Sequence, residues 1–258
     1  MNVNKSTVSV HRSPASPADR HDSLLVVGPA SSLAKPRDFL THADSGTPLL
    51  VIRQEDGSVR GFLNVCRHRG VRVVDEPCGN QRTFSCPYHG WTYGADGALK
   101  GIPFRQGFDE INRDERGLVG VSAIELGGLI WAMPTREGGP NVEHASGPIQ
   151  DLMHDVALGE LDAHQDRLFV SSTPDEVETI LSAVFGRRNS HTRSLTSDTL
   201  LVWVDGGYLV CSTFLRPGLT SSAVNWWWFG ADGDTELAQM RSDLTSAFAD
   251  VILETRGV

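Results

Sequence analysis

The sequence predicts an α+β protein of two units. The first is an N-terminal antiparallel β domain; the second pairs helices with another antiparallel sheet and ends in a long helix. Three observations predict this. Short apolar runs recur from Pro48 to Met133, punctuated by Glu55-Asp56-Gly57, Ala95-Asp96-Gly97 and Gly127-Gly128, the residue types that close hairpins. Thr173-Pro174-Asp175-Glu176 has the form of a helix start, with an N-cap threonine, proline at the first helical position and glutamate in capping-box register. Three strand-like runs then precede an amphipathic stretch, Thr235 to Leu253.

In chain order, residues 1–22 are polar, carry Ser13-Pro14 and Ser16-Pro17 and lack a hydrophobic period, so a flexible tail is expected. Leu24 to Val27 is a short apolar run, and Pro36 to Leu40 reads as a short helix or turn. Pro48 to Arg53 and Val59 to Val65 form a hairpin whose return strand delivers Cys66; Thr83 to Ser85 delivers Cys86. Trp91-Thr92-Tyr93 turns back at Ala95-Asp96-Gly97, and Trp91 and Tyr93 read as core aromatics of that hairpin. Val119 to Ile124 and Leu129 to Met133 complete a first domain over residues 23–135. Residues 136–148, rich in Gly, Pro and charge, read as a linker. Residues 149–164 read as a helix with Ile149, Leu152, Met153, Val156, Ala157 and Leu161 on one face, opening a second domain over 149–258. A helix through Val184 follows, then strands Thr199 to Val204, Tyr208 to Leu215 and Ser222 to Phe229. Trp226-Trp227-Trp228 alternates across the last strand, which predicts one core face and one subunit-contact face.

Composition bounds the function. The 258 residues carry a net charge of −9 and are 40% hydrophobic. That acidity argues against general nucleic-acid or anionic-membrane binding. No apolar run approaches the ~20 residues of a spanning helix, and the N-terminus lacks an apolar signal core, so a soluble cytoplasmic protein is expected. Of the four cysteines, Cys78 and Cys211 need not pair in a reducing compartment.

The chemistry concentrates in Cys66-Arg67-His68 and, 17 residues later, Cys86-Pro87-Tyr88-His89. Two loops each offer one thiolate and one imidazole. Zinc accepts two sulfurs and two nitrogens, and so does a [2Fe–2S] cluster in which two His replace two Cys on one iron. Structural zinc sites pair like ligands in sequence; here each loop mixes them, as a cluster reached from both sides requires. The segments Asn64-Val65-Cys66-Arg67-His68-Arg69-Gly70 and Cys86-Pro87-Tyr88-His89-Gly90-Trp91-Thr92-Tyr93 resemble the Rieske motif of ring-hydroxylating oxygenase large (alpha) subunits. The resemblance covers about residues 45–135. It implies a Rieske [2Fe–2S] cluster held by Cys66, His68, Cys86 and His89, with Gly70 and Gly90 letting backbone N–H groups approach the sulfurs. High-potential respiratory Rieske proteins carry an extra disulfide-forming Cys in each loop; Val71 and Tyr88 stand there, which implies the lower-potential oxygenase or ferredoxin type. Between residues 60 and 105 seven Lys/Arg (Arg60, Arg67, Arg69, Arg72, Arg82, Lys100, Arg105) face three acids (Asp75, Glu76, Asp96), a basic patch suited to an acidic ferredoxin or reductase, or simply a solvated face.

The resemblance implies a second, helix-grip-like domain with a mononuclear iron on two His and one carboxylate, the first two on a D-x2-H-x4-H helix. That motif is absent. Asp151 and His154 match its first half, but Gly159 stands in place of the second His, and His164 is misplaced. Laid on the helix after Pro174, the motif puts Gly186 at the first His, His191 at the second and Ala183 at the bridging acid; Asp250 is the one third-ligand candidate. His191 and Asp250 alone make an incomplete triad, and His191 reads as a loop histidine. The chain also stops at Val258, where the family continues, so the second domain reads as shortened and degenerate. The expected function is an oxygenase component that takes electrons from a ferredoxin or reductase for O2-dependent oxidation of a small organic substrate. It would relay them to iron in a partner subunit of a homo- or hetero-oligomer. A stand-alone Rieske electron carrier is the alternative, against which the extra domain argues.

Overall fold

A computed structural model describes residues 24–103, 111–136, 142–153, 156, 158, 162–185, 191–196, 198–204, 207–216, 219, 221–230 and 234–257. The expected tail 1–22 lies outside these residues. In chain order the first strands are β1 (Leu25–Pro29), β2 (Asp38–His42), β3 (Leu49–Arg53), β4 (Val59–Leu63) and β5 (Cys78–Asn80). β6 (Thr83–Ser85), β7 (Thr92–Gly94) and β8 (Leu99–Gly101) follow, then β9 (Gly120–Leu126) and β10 (Leu129–Arg136). The second half runs α1 (Val142–Met153), β11 (Asp162–Val170), α2 (Pro174–Phe185), β12 (His191–Thr196), β13 (Thr199–Val204), β14 (Gly207–Leu215), β15 (Ser222–Gly230), α3 (Asp234–Ala247) and β16 (Ile252–Gly257).

The strands form three antiparallel sheets. A seven-stranded sheet has the order β1-β10-β9-β4-β3-β2-β5, a six-stranded sheet the order β12-β13-β14-β15-β11-β16, and a small sheet the order β6-β7-β8. The hairpins expected at Glu55-Asp56-Gly57, Ala95-Asp96-Gly97 and Gly127-Gly128 are formed, with Gly57, Gly97, Gly127 and Gly128 at positive φ. At Gly97 close approach adds to the demand, because a Cβ would lie 2.3 Å from Phe62 Cε1.

Both faces of the six-stranded sheet are covered. On one, Leu200, Val202, Leu209, Trp226 and Trp228 meet Val177, Leu181 and Phe185 of α2 and Met240 and Leu244 of α3. On the other, Leu201, Val210, Trp227 and Phe229 meet Val26, Trp131 and Met133 of the seven-stranded sheet and Ile149 and Met153 of α1. A polar seam crosses the same boundary: Asp44 pairs with Arg167 at 3.2 Å and accepts from Asn225 Nδ2 at 2.9 Å, while Arg167 Nε donates to Asn225 Oδ1 at 2.7 Å. No helix among the described residues is long and apolar enough to cross a membrane.

Several element expectations need correction. Of the helix or turn expected over Pro36 to Leu40, the turn forms at Pro36-Arg37, with Arg37 at φ 73°, and β2 takes over from Asp38. The helix expected over 149–164 begins at Val142, inside the stretch read as a linker, and ends at Met153; β11 then starts at Asp162. β11 pairs in register with β15 over its whole length, and that ladder overrides the helical period expected to run on to residue 164. The closing helix ends at Ala247, because its last apolar residues, Val251 and Ile252, pack on the sheet-helix core and lead into β16, whose backbone pairs with β11. Trp227 is not on a subunit-contact face: it is 1% exposed, packed against the seven-stranded sheet of its own chain.

Candidate functional site

The four candidate ligands sit at the tips of two loops built alike. β4 ends at Leu63 and leads to Cys66; β6 ends at Ser85 and leads directly to Cys86. In each loop the cysteine N–H donates to a carbonyl five residues on, Cys66 to Val71 at 2.7 Å and Cys86 to Trp91 at 2.8 Å. In each, a glycine N–H closes back on the cysteine carbonyl, Gly70 to Cys66 and Gly90 to Cys86, both at 2.9 Å. The reversal needs a left-handed residue, and Gly70 (φ 76°) and Gly90 (φ 69°) supply it. The glycine N–H groups close the loops, and the left-handed glycines leave other backbone N–H groups to approach the sulfurs. The N–H groups that bear on the Cys86 sulfur are those of Tyr88 and His89.

This geometry sorts the donors into two pairs. Cys66 and Cys86 are each 3% exposed and lie close enough to hydrogen-bond each other. Burial pushes the Cys86 thiol up, opposed by the N–H groups of Tyr88 and His89. The imidazoles of His68 and His89 stand 4.6 Å apart, centroid to centroid, toward solvent, with His68 half-buried and His89 exposed. Burial, then the neighbouring His89 and Arg69, holds His68 below the usual histidine range and favours the neutral ligand form. No three His, Cys, Asp or Glu among the described residues converge on one ion position, as tetrahedral zinc would require. A sulfur pair beside a nitrogen pair fits a two-iron cluster with one iron at each end.

Residues around the pairs fix the loops. Asn64, 1% exposed, donates from Nδ2 to the Val74 carbonyl at 2.7 Å and accepts the N–H groups of Val73 and Val74 at 3.1 and 3.0 Å, clamping the base of the first loop. Tyr93 Oη accepts the Arg67 N–H at 3.0 Å and lies 3.3 Å from Cys66 Sγ. That N–H takes one lone pair and leaves the hydroxyl proton able to donate to a thiolate at Cys66; burial and the contact with Cys66 raise the phenol above its usual range. Trp91 is buried and stacks on His68, 5.0 Å between centroids and 6° between planes. Sequence reading placed Trp91 and Tyr93 in the core and missed their contacts with the candidate ligands. Their i, i+2 spacing across the start of β7, close to Cys86, was the available signal, since it puts both on one face of extended backbone; the sequence signal for Asn64 was a polar residue directly after an apolar strand.

Of the basic patch, Arg72 and Lys100 are paired locally with Asp75 (3.3 Å) and Asp96 (2.8 Å), while Arg69 and Arg82 are exposed beside the loops. Arg105 lies outside the described residues.

The second-iron candidates do not come together. His191 opens β12, a strand rather than a loop, at one edge of the six-stranded sheet. Asp250 is exposed in the turn before β16, at the opposite edge. Five strand spacings separate these edges, about 24 Å along the sheet. Ala183 is exposed on α2, Asp151 is exposed on α1, and His164 is exposed on β11 instead of on a helix. His154, Gly159 and Gly186 lie outside the described residues.

Residues 23–112, which carry the paired loops, match the model of the Rieske [2Fe-2S] domain. Its cofactor is a Rieske-type [2Fe–2S] cluster. Over this part the chain is homologous to alpha subunits of ring-hydroxylating dioxygenases. It is 35% identical over 147 residues to chlorobenzene dioxygenase subunit alpha of Cupriavidus sp. (strain PS12), covering 57% of this chain and 30% of that one. It is 38% identical over 127 residues to the large oxygenase component of the naphthalene 1,2-dioxygenase system of Pseudomonas putida, covering 48% and 26%. The chain thus spans less than a third of the length of these relatives. Structural likeness reaches further. The apo form of the quaternary ammonium Rieske monooxygenase CntA aligns over 90% of this chain and 78% of its own, with a TM-score of 0.70 at 16% identity. Naphthalene 1,2-dioxygenase with bound indole aligns over 88% and 70%, with a TM-score of 0.62 at 18% identity. The second half therefore shares the Rieske oxygenase fold.

Proposed function

We propose that Cys66 and Cys86 hold one iron of the cluster as thiolates, that His68 and His89 hold the other as neutral imidazoles, and that the chain is the electron-delivering, alpha-subunit-like component of a Rieske oxygenase system. The observation that carries this reading is the pairing itself: a buried thiol pair on the inner side, an imidazole pair on the outer side, from two loops with the same hydrogen-bond closure. When bound, the cluster supplies a one-electron carrier whose potential is raised because two neutral ligands replace two anionic ones. The chain's own residues set its surroundings. Burial keeps water from the sulfurs, Tyr93 and the Tyr88 and His89 N–H groups offset their charge, and exposed His89 gives electrons a route to the surface. Exposed Arg69 and Arg82 favour an acidic ferredoxin or reductase as donor.

The acceptor in this reading is a mononuclear iron in a different subunit of a hetero-oligomer, where O2-dependent oxidation of a small organic substrate takes place. Two observations support placing it outside this chain. His191 and Asp250 lie at opposite sheet edges, and the space between the sheet and helices α2 and α3 is filled by apolar side chains such as Phe185, Trp226, Trp228 and Met240. The likeness to alpha subunits supports the oxygenase system over a free-standing carrier.

Replacing His68 or His89 with alanine tests the ligand assignment. Either change is expected to abolish the Rieske electron-spin signal of the reduced protein; a native signal in either variant would refute it.

A further inference from the structure

The two loops share their backbone but differ at the fifth position after the cysteine, where Val71 stands in the first loop and Trp91 in the second. Both residues accept the cysteine N–H through their carbonyls. Their side chains do unlike things. Trp91, 2% exposed, reaches across from the second loop and lies flat on the imidazole of the first, 5.0 Å away at 6°. Among the described residues His89 has no such support from a buried ring: its aromatic neighbours there are His68, edge-on at 70°, and its chain neighbour Tyr88, tilted at 43° and itself 58% exposed. One imidazole thus rests on a rigid buried plane, and the other stands at the surface beside a solvated side chain.

We infer that Trp91 is the positioning residue for His68: its stacked indole fixes the imidazole plane, and so the direction of the ligating nitrogen, while the His89 plane is left free to vary. This rests on His68 and His89 being the imidazole ligands. The physical case is direct. The imidazole is joined to the backbone by two rotatable bonds, so loop closure alone does not fix the ring plane. A parallel aromatic contact against a ring that is itself held in the core does. The core holds Trp91 independently, among Val73, Val74, Phe84 and Tyr93.

The test compares Trp91→Phe, which retains a stacking ring, with Trp91→Leu, which has similar volume and none. Both are compared with the loaded native protein at matched iron and sulfide content. Trp91→Leu is expected to broaden the Rieske electron-spin signal and shift its reduction potential, and Trp91→Phe to restore both toward native. Native line shape and potential in Trp91→Leu would overturn the inference, and so would equal changes in both variants, which point to packing alone. Should Trp91→Leu not load the cluster, the native protein labelled with 15N-histidine decides. The two nitrogen hyperfine couplings are expected to have unequal widths, one narrow for His68 and one broad for His89; equal widths would overturn the inference. Failure of the ligand assignment looks different, since the alanine variants of His68 and His89 would then keep a native signal whatever Trp91 does.

Discussion

With Cys66 as a ligand, as proposed, Tyr93 acts on the cluster from the core. Its Oη takes the Arg67 N–H and faces Cys66 Sγ at 3.3 Å. A hydrogen bond to a ligand sulfur stabilises the more negative, reduced state, so its loss should lower the potential. A bond worth about 1 kcal/mol corresponds to tens of millivolts for one electron. Tyr93→Phe is expected to lower the reduction potential by roughly that much in a potentiometric titration, with cluster content intact. An unchanged or raised potential would show that the hydroxyl does not donate to the sulfur. Legibility at this scale was divided. Cys66, His68, Cys86 and His89 stood out as candidates because ligand chemistry restricts residue type, and the structure brings them together at the tips of two loops. Tyr93, Trp91 and Asn64 did not stand out, because a buried aromatic or amide looks the same in sequence whether it fills space or holds a ligand loop.

The two cluster loops are the elements on which the site depends, and their glycines make separate demands. Gly70 and Gly90 both need positive φ, but a Cβ at Gly70 meets nothing within 4 Å, whereas one at Gly90 would lie 2.8 Å from Pro103 Cγ. Gly70→Ala should therefore cost about 1–2 kcal/mol of backbone strain. Gly90→Ala should cost more, since a rigid proline ring must also move. Thermal release of the cluster, followed by its visible absorbance, is expected to come earlier in Gly90→Ala than in Gly70→Ala, with both earlier than native. The reverse order would contradict the packing at Pro103. Elements with strong local chemistry were legible: the Asp-Gly hairpins, and the helix at Thr173, where the Thr173 N–H donates to Glu176 Oε2 at 2.8 Å. α1 and β11 were not, because the residues around Met153 to Leu161 carry an apolar spacing that suits a helix, while pairing with β15 over residues 162–170 decides the outcome.

Across the whole molecule, the two large sheets are joined by apolar packing and by the seam of Asp44, Arg167 and Asn225, with His42 beside it. His42 accepts the Ser45 N–H at 3.2 Å and packs edge-on against Phe214 of the other sheet at 4.9 Å. Burial lowers its pKa to about 4; Asp44 opposes the shift and Arg167 reinforces it. The folded state thus binds the proton less readily than the unfolded chain. Stability should fall as pH drops from about 6.5 to about 4 and level off below, a change on the order of 3 kcal/mol from this group. His42→Leu is expected to flatten that part of a urea-denaturation pH series; a slope as steep as native would contradict a neutral buried His42. The sequence suggested two units, and the packing between the two large sheets was not legible in it, because Trp227, Phe229 and Trp131 meet only once both sheets exist.

If the chain holds a Rieske cluster and, as proposed, passes its electrons to iron on a different subunit, the metal content of one chain is set. Iron and acid-labile sulfide content of the purified, cluster-loaded chain tests this most directly. The account predicts two irons and two sulfides per chain. Three irons with two sulfides would contradict it, by showing that a mononuclear iron is bound here after all.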